Sequence, residues 1–468
     1  MFTLKTIEVW GSRAVLSVLV VIMAYMYYPH AGSYALRDWD ESIYAQVAKQ
    51  SADWFGFQWL GQGTASPQNF WLEKPPLVIW LVKASQAVFG VTEFAARFWT
   101  PLFGAGIMLL TYLFAFRLFR SRVSGLVAAS SFFVCWHFLL SLGTLNYDIP
   151  VAFFILLALY GYAGSKERAN SWYVFWLGVG LGVLTKSVIG LLPIGIVVLH
   201  SLATCDWKWL KTRTFWVGVV LSVAIVLPWH LVETFRFGIG FWRSYLFYHV
   251  LERFTEGIEN NGEPMWYYFT IFRQQPYAVL AGLGLIFSLW ASIKKQREFV
   301  LPLISFVFLF LVFSFSKTKG SGYIVVVYPF LALLIGGAFC ALLAKVEAGY
   351  IRALATLCLA TIFVVSGVNF NKYRLVRMQT PAFEDVKEIG TWLRTHDTSK
   401  NVSYVPLRTS VDLLDASPAL VYYSGRVVHT ENVLMPKVDI RKALLRTRTH
   451  QVYEVQGTLY VVAIRAIP

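Results

Sequence analysis

Long apolar runs recur along this chain and limit what it can fold into. They lie at roughly 14–28, 98–116, 123–142, 149–164, 215–232, 277–293, 299–315, 322–344 and 350–368. Each run is near the length of about 20 residues that a helix needs to cross a membrane. Of the 468 residues, 57% are hydrophobic and only 14% are charged, which excludes a soluble multidomain enzyme. The pattern predicts an all-α polytopic membrane protein.

The net charge of +15 does not indicate a nucleic-acid partner, because the basic residues are dispersed over short loops between apolar runs. The positive-inside rule explains them instead. None of the four cysteines lies in a CxxC motif, so the sequence indicates neither a metal site nor a disulfide framework. We expect no metal and no cofactor.

Loop charge also sets the topology. We expect the run from Trp172 to Thr204 to form two short helices with Lys186 at the tip between them, and Pro75 to Phe89 to form an interfacial helix. The basic loops then share one face with the N-terminus, which we expect to be cytoplasmic. This gives about eleven spans, and we call the opposite side the outer face.

The outer face receives the first loop, 31–97, a large loop, 235–276, and the C-terminal region. The transmembrane domain is expected to cover 1–370. Residues 374–468 change character, with one amphipathic stretch and alternating runs around Gln456 and Gly457 that are typical of a hairpin. We predict a small α/β domain there, outside the membrane.

Asp40 and Glu41 precede a stretch of helical character, so both acids are expected at a helix N-terminus, where the helix dipole favours the ionised form. They are equally consistent with a capping cluster in a solvated loop and with an active site. In the sequence EKPP, Pro75 suits the first turn of a helix and forces Lys74 out of helical geometry. Lys74 then holds an anionic head group, with Glu73 as a supporting carboxylate, or Lys74 is an ordinary lysine at the membrane surface.

Asp148 begins an apolar span, either as a helix cap or as a functional carboxylate at membrane depth. Lys186 interrupts a long uncharged run, and Lys317 and Lys319 face the same side, where the positive-inside rule does not require them. One or two of these three lysines are candidate phosphate ligands. His249, Arg253 and Tyr323 are candidate supporting residues, although the aromatic residues of the large loop are also typical of an interfacial belt.

Acids and cations on one face, beside apolar grooves, suit transfer from a lipid phosphate. A carboxylate activates or orients the acceptor, and cations stabilise negative charge on the departing phosphate. The competing class is a transporter or flippase of lipid-linked sugars, whose charges would line a pathway.

Five stretches in order carry a resemblance: DWDESIYAQVAK, WLEKPPLVIWLVKASQAVFGVTEFAARF, LTKSVIGLLP, LPWH and FSFSKTKGSGYIVVVYPFLALLIG. Over roughly the first 345 residues the chain resembles bacterial membrane glycosyltransferases of the C-type fold. Among these are the aminoarabinose lipid A transferase and, more distantly, the protein O-mannosyltransferases.

The resemblance implies a polyprenyl (undecaprenyl) phosphate sugar as donor and a periplasmic active site in the bacterial inner membrane, with the C-terminal domain periplasmic. It implies Asp40 as the catalytic aspartate, Lys74 at the donor phosphate and Asp148 as a second acid. The expected reaction moves a sugar, such as 4-amino-4-deoxy-L-arabinose, to lipid A or to another glycan or lipid acceptor. Protein O-glycosylation and O-antigen modification by the same chemistry are alternatives.

Two departures bear on this resemblance. Relatives tend to read SKTKLPHYILP where this chain reads SKTKGSGYIVV, so that Gly320 to Gly322 replace a stretch with a Pro-His pair. The chain also has fewer apolar runs than the aminoarabinose enzyme and a short C-terminal region. These departures leave both lipid A and a different acceptor open.

Overall fold

The computed structural model describes residues 4–37, 39–51, 53–58, 70–257, 262–344, 346, 349–378, 381–396, 401–405, 417–430, 443–448, 450–455 and 458–463. The long apolar helices form a bundle, and their apolar character on all sides is what a membrane environment requires. They are α1 (Leu4–Tyr27), α5 (Trp99–Phe119), α8 (Asp148–Ser165), α9 (Ser171–Lys186), α10 (Leu192–Thr204), α11 (Arg213–Phe237), α15 (Tyr277–Ile293), α16 (Val300–Phe315), α17 (Tyr328–Leu343) and α18 (Gly349–Met378).

Shorter helices connect or flank the bundle. They are α2 (Trp39–Gln50), α3 (Leu77–Phe89), α4 (Glu93–Arg97), α6 (Arg122–Ser130), α7 (Trp136–Ser141), α12 (Ile239–Trp242), α13 (Arg253–Thr255) and α14 (Tyr267–Arg273). A π-helix spans Arg243–Glu252 in the large outer loop. The helix predicted for Pro75 to Phe89 is present as α3, which begins at Leu77.

Within the described part of the chain, eight helical segments are long and apolar enough to cross a membrane, or nine if α14 and α15, bent by 111°, form one span. Two features account for the difference between these nine spans and the eleven predicted. The segment 171–204 counts once although it is broken, and the predicted run 123–142 is divided into α6, a 3₁₀ turn (Ser131–Val134) and α7.

The chain turns back on itself after Lys186. Helix α9 ends there, and Ser187 adopts φ +50°. Gly190 then packs directly on the backbone of Gly182 and Val183, where a side chain would overlap their atoms. Such a contact is impossible in a continuous helix, because residues eight apart are about 12 Å apart along the axis. The prediction of two helices with Lys186 at the tip is confirmed.

The C-terminal region forms a five-stranded sheet with two helices, α19 (Pro381–Thr395) and α20 (Ser417–Ser424). The strand order is β2 (Val428–Thr430), β1 (Asn401–Val405), β5 (Thr458–Ala463), β4 (His450–Val455), β3 (Leu445–Arg446). Strand β1 is parallel to both of its neighbours, whereas β4 and β5 form an antiparallel hairpin with Val452 opposite Val461. This confirms the predicted small α/β domain, although α18 continues across the boundary expected between 370 and 374.

One hydrophobic core joins this domain to the first outer loop. Ile43 and Val47 of α2 and Ile79 of α3 pack in the same cluster as Val386 of α19 and Leu420 of α20. The C-terminal domain therefore covers the loop that carries Asp40 and Lys74, and the two fold as one unit.

Polar contacts reinforce this junction. The backbone N–H of Ala35 donates to Oε1 of Glu384 over 2.6 Å, and that of Leu36 donates to the hydroxyl of Tyr423 over 2.7 Å. The Tyr423 hydroxyl in turn donates to Oε1 of Glu93 over 3.0 Å. The chain leading to Asp40 is thus held by side chains from the last quarter of the sequence.

Candidate active site

Asp40 and Glu41 lie in the first turn of α2 but face different surroundings. Asp40 is exposed, and within the described residues its carboxylate has no hydrogen bond or ion pair. Glu41 is only 1% exposed and forms an ion pair with Arg97, from Nε to Oε1 over 2.8 Å and from Nη2 to Oε2 over 2.9 Å. The backbone N–H groups of Arg37 and Leu145 also donate to Glu41. Its carboxylate is therefore fully occupied, and only Asp40 is free to meet a substrate.

Arg97 extends this buried contact to the backbone of the first loop. Its guanidinium donates to the carbonyl oxygens of Ala31, Tyr34 and Ala35, each over 2.8 Å. It also lies 4.0 Å from the centroid of the Tyr34 ring. Because one planar cation binds both Glu41 and the three carbonyls, it fixes the direction of α2. Glu41 consequently positions Asp40.

Lys74 lies just before α3, where the proline pair sets the helix start as predicted. It is partly buried, and within the described residues its ammonium group has no hydrogen bond or ion pair. Burial lowers the pKa of Lys74, and repulsion from Arg253 lowers it further, while Glu73 and Asp40 act in the opposite direction. The structure therefore brings Asp40, Glu73, Lys74 and Arg253 into one cluster.

His249 completes one side of this cluster. Its Nε2 lies 3.7 Å from Oε2 of Glu73, too far for a hydrogen bond. Burial lowers the pKa of His249 well below its ordinary range, and the charges of Lys74 and Arg253 act in the same direction. The imidazole is thus neutral at neutral pH, so the positive charges on this side of the cluster are those of Lys74 and Arg253.

Asp148 and Lys186 form an ion pair on the other side of the cluster, between Oδ1 and Nζ. The Lys186 ammonium lies 4.1 Å from the centroid of the Tyr323 ring, and the Tyr323 hydroxyl accepts a hydrogen bond from Nη1 of Arg253 over 3.3 Å. Asp148 does not cap α8, because Oδ1 of Asn146 accepts from the backbone N–H of Ile149. The capping interpretation of Asp148 is therefore wrong.

Lys317 and Lys319 occupy different positions from the phosphate-binding ones expected. The Lys319 ammonium is buried and donates to the carbonyl oxygens of Glu263, over 2.8 Å, and Ser316. Lys317 is exposed, and its backbone N–H donates to the carbonyl of Phe254. Since its ammonium is already engaged, Lys319 joins the turn 316–320 to the large outer loop.

Two buried tyrosines were missed by the sequence reasoning. The rings of Tyr44 and Tyr147 meet edge to face, with centroids 4.6 Å apart. Burial raises the pKa of both hydroxyls well above the ordinary value, and the negative charges of Asp40 and Glu73 add to this effect. Both tyrosines thus stay neutral near Asp40 and Glu73. Isolated tyrosines in an aromatic-rich chain give no signal for this position.

In the described residues, no group of three or more His, Cys, Asp and Glu side chains could hold a metal ion. The cluster instead offers one free carboxylate, Asp40, facing fixed cations. An anionic group bound between Lys74 and Arg253 would offset their mutual repulsion. The arrangement suits a phosphate whose negative charge increases during a reaction.

A family model described as dolichyl-phosphate-mannose-protein mannosyltransferase matches residues 73–231, a range that includes Glu73, Lys74, Asp148 and Lys186. An undecaprenyl phosphate-alpha-4-amino-4-deoxy-L-arabinose arabinosyl transferase of Proteus mirabilis (strain HI4320) is 27% identical over 362 residues, covering 72% of this chain and 62% of that protein.

The crystal structure of ArnT from Cupriavidus metallidurans bound to undecaprenyl phosphate matches the fold with a TM-score of 0.72 and 18% identity, over 88% of this chain and 85% of that one. The chain therefore has the C-type fold of this crystal structure. Within this C-type fold, the archaeal oligosaccharyltransferase AglB from Archaeoglobus fulgidus, in complex with an inhibitory peptide and a dolichol-phosphate, has a TM-score of 0.60 at 13% identity over 91% of this chain and 65% of that one. The chain spans between 58% and 62% of the length of the curated aminoarabinose transferases that it matches.

Proposed function

We propose that this protein transfers a sugar from a polyprenyl phosphate donor to an acceptor at the outer face of a bacterial inner membrane. One observation carries the proposal: a free carboxylate, Asp40, faces a partly buried and unpaired ammonium, Lys74, among the described residues. A buried cation without a partner is costly unless a ligand supplies the opposite charge. The names of the curated relatives and the undecaprenyl phosphate in the ArnT structure support a lipid-linked donor.

The donor phosphate binds between Lys74 and Arg253, with Lys186 nearby. These cations already act on the pKa of Lys74, so an anion placed among them gains attraction from each. Tyr323 fixes Arg253 through its hydroxyl. As the bond between the anomeric carbon and the phosphate oxygen breaks, the electron pair leaves with the phosphate, and these cations stabilise it.

Asp40 acts on the acceptor. An acceptor oxygen attacks the anomeric carbon from the face opposite the phosphate, which inverts the configuration of the sugar. If the acceptor is a hydroxyl, its proton passes to Asp40. If the acceptor is itself a phosphate, as in lipid A, it is already nucleophilic and Asp40 only orients it.

We propose 4-amino-4-deoxy-L-arabinose or a related sugar as the group transferred, and lipid A or another glycan or lipid as the acceptor. The aminoarabinose transferases among the relatives support this choice. Protein O-glycosylation is the second candidate, because the mannosyltransferase model covers Glu73, Lys74, Asp148 and Lys186. We also propose a cytoplasmic N-terminus and a periplasmic C-terminal domain, on the distribution of basic loops.

The test uses the purified full chain in lipid nanodiscs with synthetic undecaprenyl phosphate sugars, and it measures release of undecaprenyl phosphate and labelling of lipid A or peptide acceptors. We expect Asp40→Asn and Lys74→Ala each to lower turnover by about 10²–10³-fold. The exposed Lys211→Ala is the matched control for loss of a lysine, and it should keep wild-type activity.

Full activity in both site variants would overturn the assignment of these residues. Movement of the lipid-linked sugar across a bilayer without its cleavage would show a flippase instead. Labelling of peptide but not of lipid A would select protein O-glycosylation.

A further inference from the structure

His137 lies on α7 beside the candidate active site, although no sequence motif pointed to it. The break in the helix at Cys135 starts α7 in a new direction, and α7 packs against the 3₁₀ turn (Ser321–Val327) that carries Gly322 and Tyr323. His137 is partly exposed and lies close enough to Asp148 for their charges to interact. The Asp148 carboxylate also adjoins this turn, because a Cβ at Gly322 would lie 2.6 Å from Oδ2 of Asp148. The helix that carries His137 and this carboxylate therefore meet at one turn.

A buried glutamine fixes the hydrogen-bond directions around this histidine. The Nε2 of Gln275 donates to the carbonyl of Ile271 over 3.0 Å, and its Oε1 accepts from the backbone N–H of His137 over 3.1 Å. Because a backbone carbonyl can only accept and a backbone N–H can only donate, these two contacts leave one orientation for the Gln275 amide.

The amide orientation determines the proton on Tyr328 and then on His137. Nε2 of Gln275 also donates to the Tyr328 hydroxyl, over 3.3 Å, so the hydroxyl proton is free to be donated onward. The Tyr328 oxygen lies 3.0 Å from Nδ1 of His137. If Nδ1 donated instead, the Tyr328 hydroxyl proton would have no acceptor among the described residues. Nδ1 therefore accepts, and the neutral imidazole carries its proton on Nε2.

Nε2 of His137 is left as a neutral donor directed away from this network. Within the described residues Nε2 has no hydrogen-bond partner, and it is not fully enclosed by protein. The Asp148 carboxylate nearby binds Lys186 through Oδ1, while Oδ2 faces Gly322. Since a carboxylate oxygen has lone pairs to spare, Asp148 can accept a further bond.

A neutral donor and a carboxylate acceptor at one turn match a hydroxyl group, which accepts from one and donates to the other. Phosphate has Lys74 and Arg253 to bind on the other side of the cluster. We propose that His137 and Asp148 form a binding site for a hydroxyl of the donor sugar. This inference rests on the proposed function, because it assigns the sugar end of the same donor whose phosphate end binds Lys74.

The experiment compares two ligands, undecaprenyl phosphate alone and an undecaprenyl phosphate sugar, bound to the full chain in nanodiscs. We expect His137→Phe to weaken binding of the sugar-bearing lipid by about 10-fold and to leave binding of undecaprenyl phosphate unchanged. His137→Gln places an amide N–H near the position of Nε2 and should restore affinity to within about 3-fold. Tyr328→Phe removes the contact that selects the Nε2–H form. Its affinity for the sugar-bearing lipid should lie between those of His137→Phe and His137→Gln.

Unchanged affinity of His137→Phe for both lipids would overturn the inference, as would equal weakening for both, which indicates a general disturbance of the fold. Turnover of the wild type is measured in parallel. Absence of turnover with intact binding of both lipids would count against the proposed function, whereas normal turnover with no sugar-dependent loss in His137→Phe would count against this inference alone.

Discussion

Glu41 and Arg97 form an ion pair that is closed off from solvent, with each side chain 1% exposed and Oε1 2.8 Å from Nε. Arg97 joins this pair to three backbone carbonyls of the segment that leads into α2. The direction of the helix that carries Asp40 thus depends on a residue 57 positions later in the chain.

We predict that Arg97→Met lowers the free energy of unfolding by about 3–5 kcal/mol, because it leaves the Glu41 carboxylate buried without its cation. Thermal unfolding in detergent, followed by circular dichroism, measures this loss. The double variant Glu41→Leu/Arg97→Met removes both charges and should be more stable than Arg97→Met alone. A single variant as stable as the wild type would show that the pair is not needed for the fold.

Binding of undecaprenyl phosphate should depend on pH through Lys74, whose pKa lies below its ordinary value of 10.5 because of burial and of Arg253. The protonated ammonium binds phosphate, so affinity is full below the lowered pKa and is lost as the pH rises through it. Lys74→Arg should move this loss to higher pH, since arginine stays protonated. Isothermal titration between pH 7 and 10 measures both profiles, and identical profiles would exclude Lys74 as the titrating group.

Gly322→Ala should disturb the Asp148–Lys186 ion pair. A Cβ at this position would lie 2.6 Å from Oδ2 of Asp148, so the carboxylate must move. We expect a loss of about 10-fold or more in turnover with little change in unfolding temperature. Gly282→Ala on α15 is the control, because a Cβ there meets nothing within 4 Å. Equal activity of the two variants would contradict the prediction.

Tyr423→Phe should destabilise the junction between the first loop and the C-terminal domain. It removes the acceptor of the Leu36 N–H and a donor to Glu93, and a buried N–H without a partner costs about 1–3 kcal/mol. Tyr422→Phe is a matched control, since the buried Tyr422 hydroxyl has no hydrogen-bond partner in the part of the chain that the structure describes. Hydrogen exchange of residues 35–48 should rise in Tyr423→Phe only, and an equal rise in both variants would contradict the role given to Tyr423.

The apolar runs and loop charges predict the helices and the tip at Lys186. A helix that crosses a membrane needs a minimum length, and the loops on the cytoplasmic side carry an excess of positive charge. The sequence does not show which partner each side chain of the site contacts. Glu41 and Asp40 are adjacent and chemically alike, and only Arg97, brought close by the fold, distinguishes them. Lys319 likewise differs from Lys186 because its ammonium donates to the backbone carbonyls of Glu263 and Ser316.

Some local information was available but was overlooked. Asn146 stands three residues before Ile149 and is a good capping residue, so the cap of α8 could have been assigned to it and Asp148 thereby released. His137 could not have been found this way. Its role depends on Gln275 and Tyr328, far along the chain, and a histidine within an apolar run carries no periodic signal.

The core shared by α2, α3 and the C-terminal domain has a consequence for biogenesis. Ile43 and Ile79 leave the ribosome early, yet part of the apolar cluster that buries them, from Phe383 onward, is made only late in synthesis. Since chains fold from the N-terminus as they are synthesised, this segment must wait through the insertion of the intervening helices before its partner arrives. Competence to bind substrate is therefore acquired only at the end of synthesis, and a nascent or C-terminally truncated chain would reach the membrane without a formed Asp40 site.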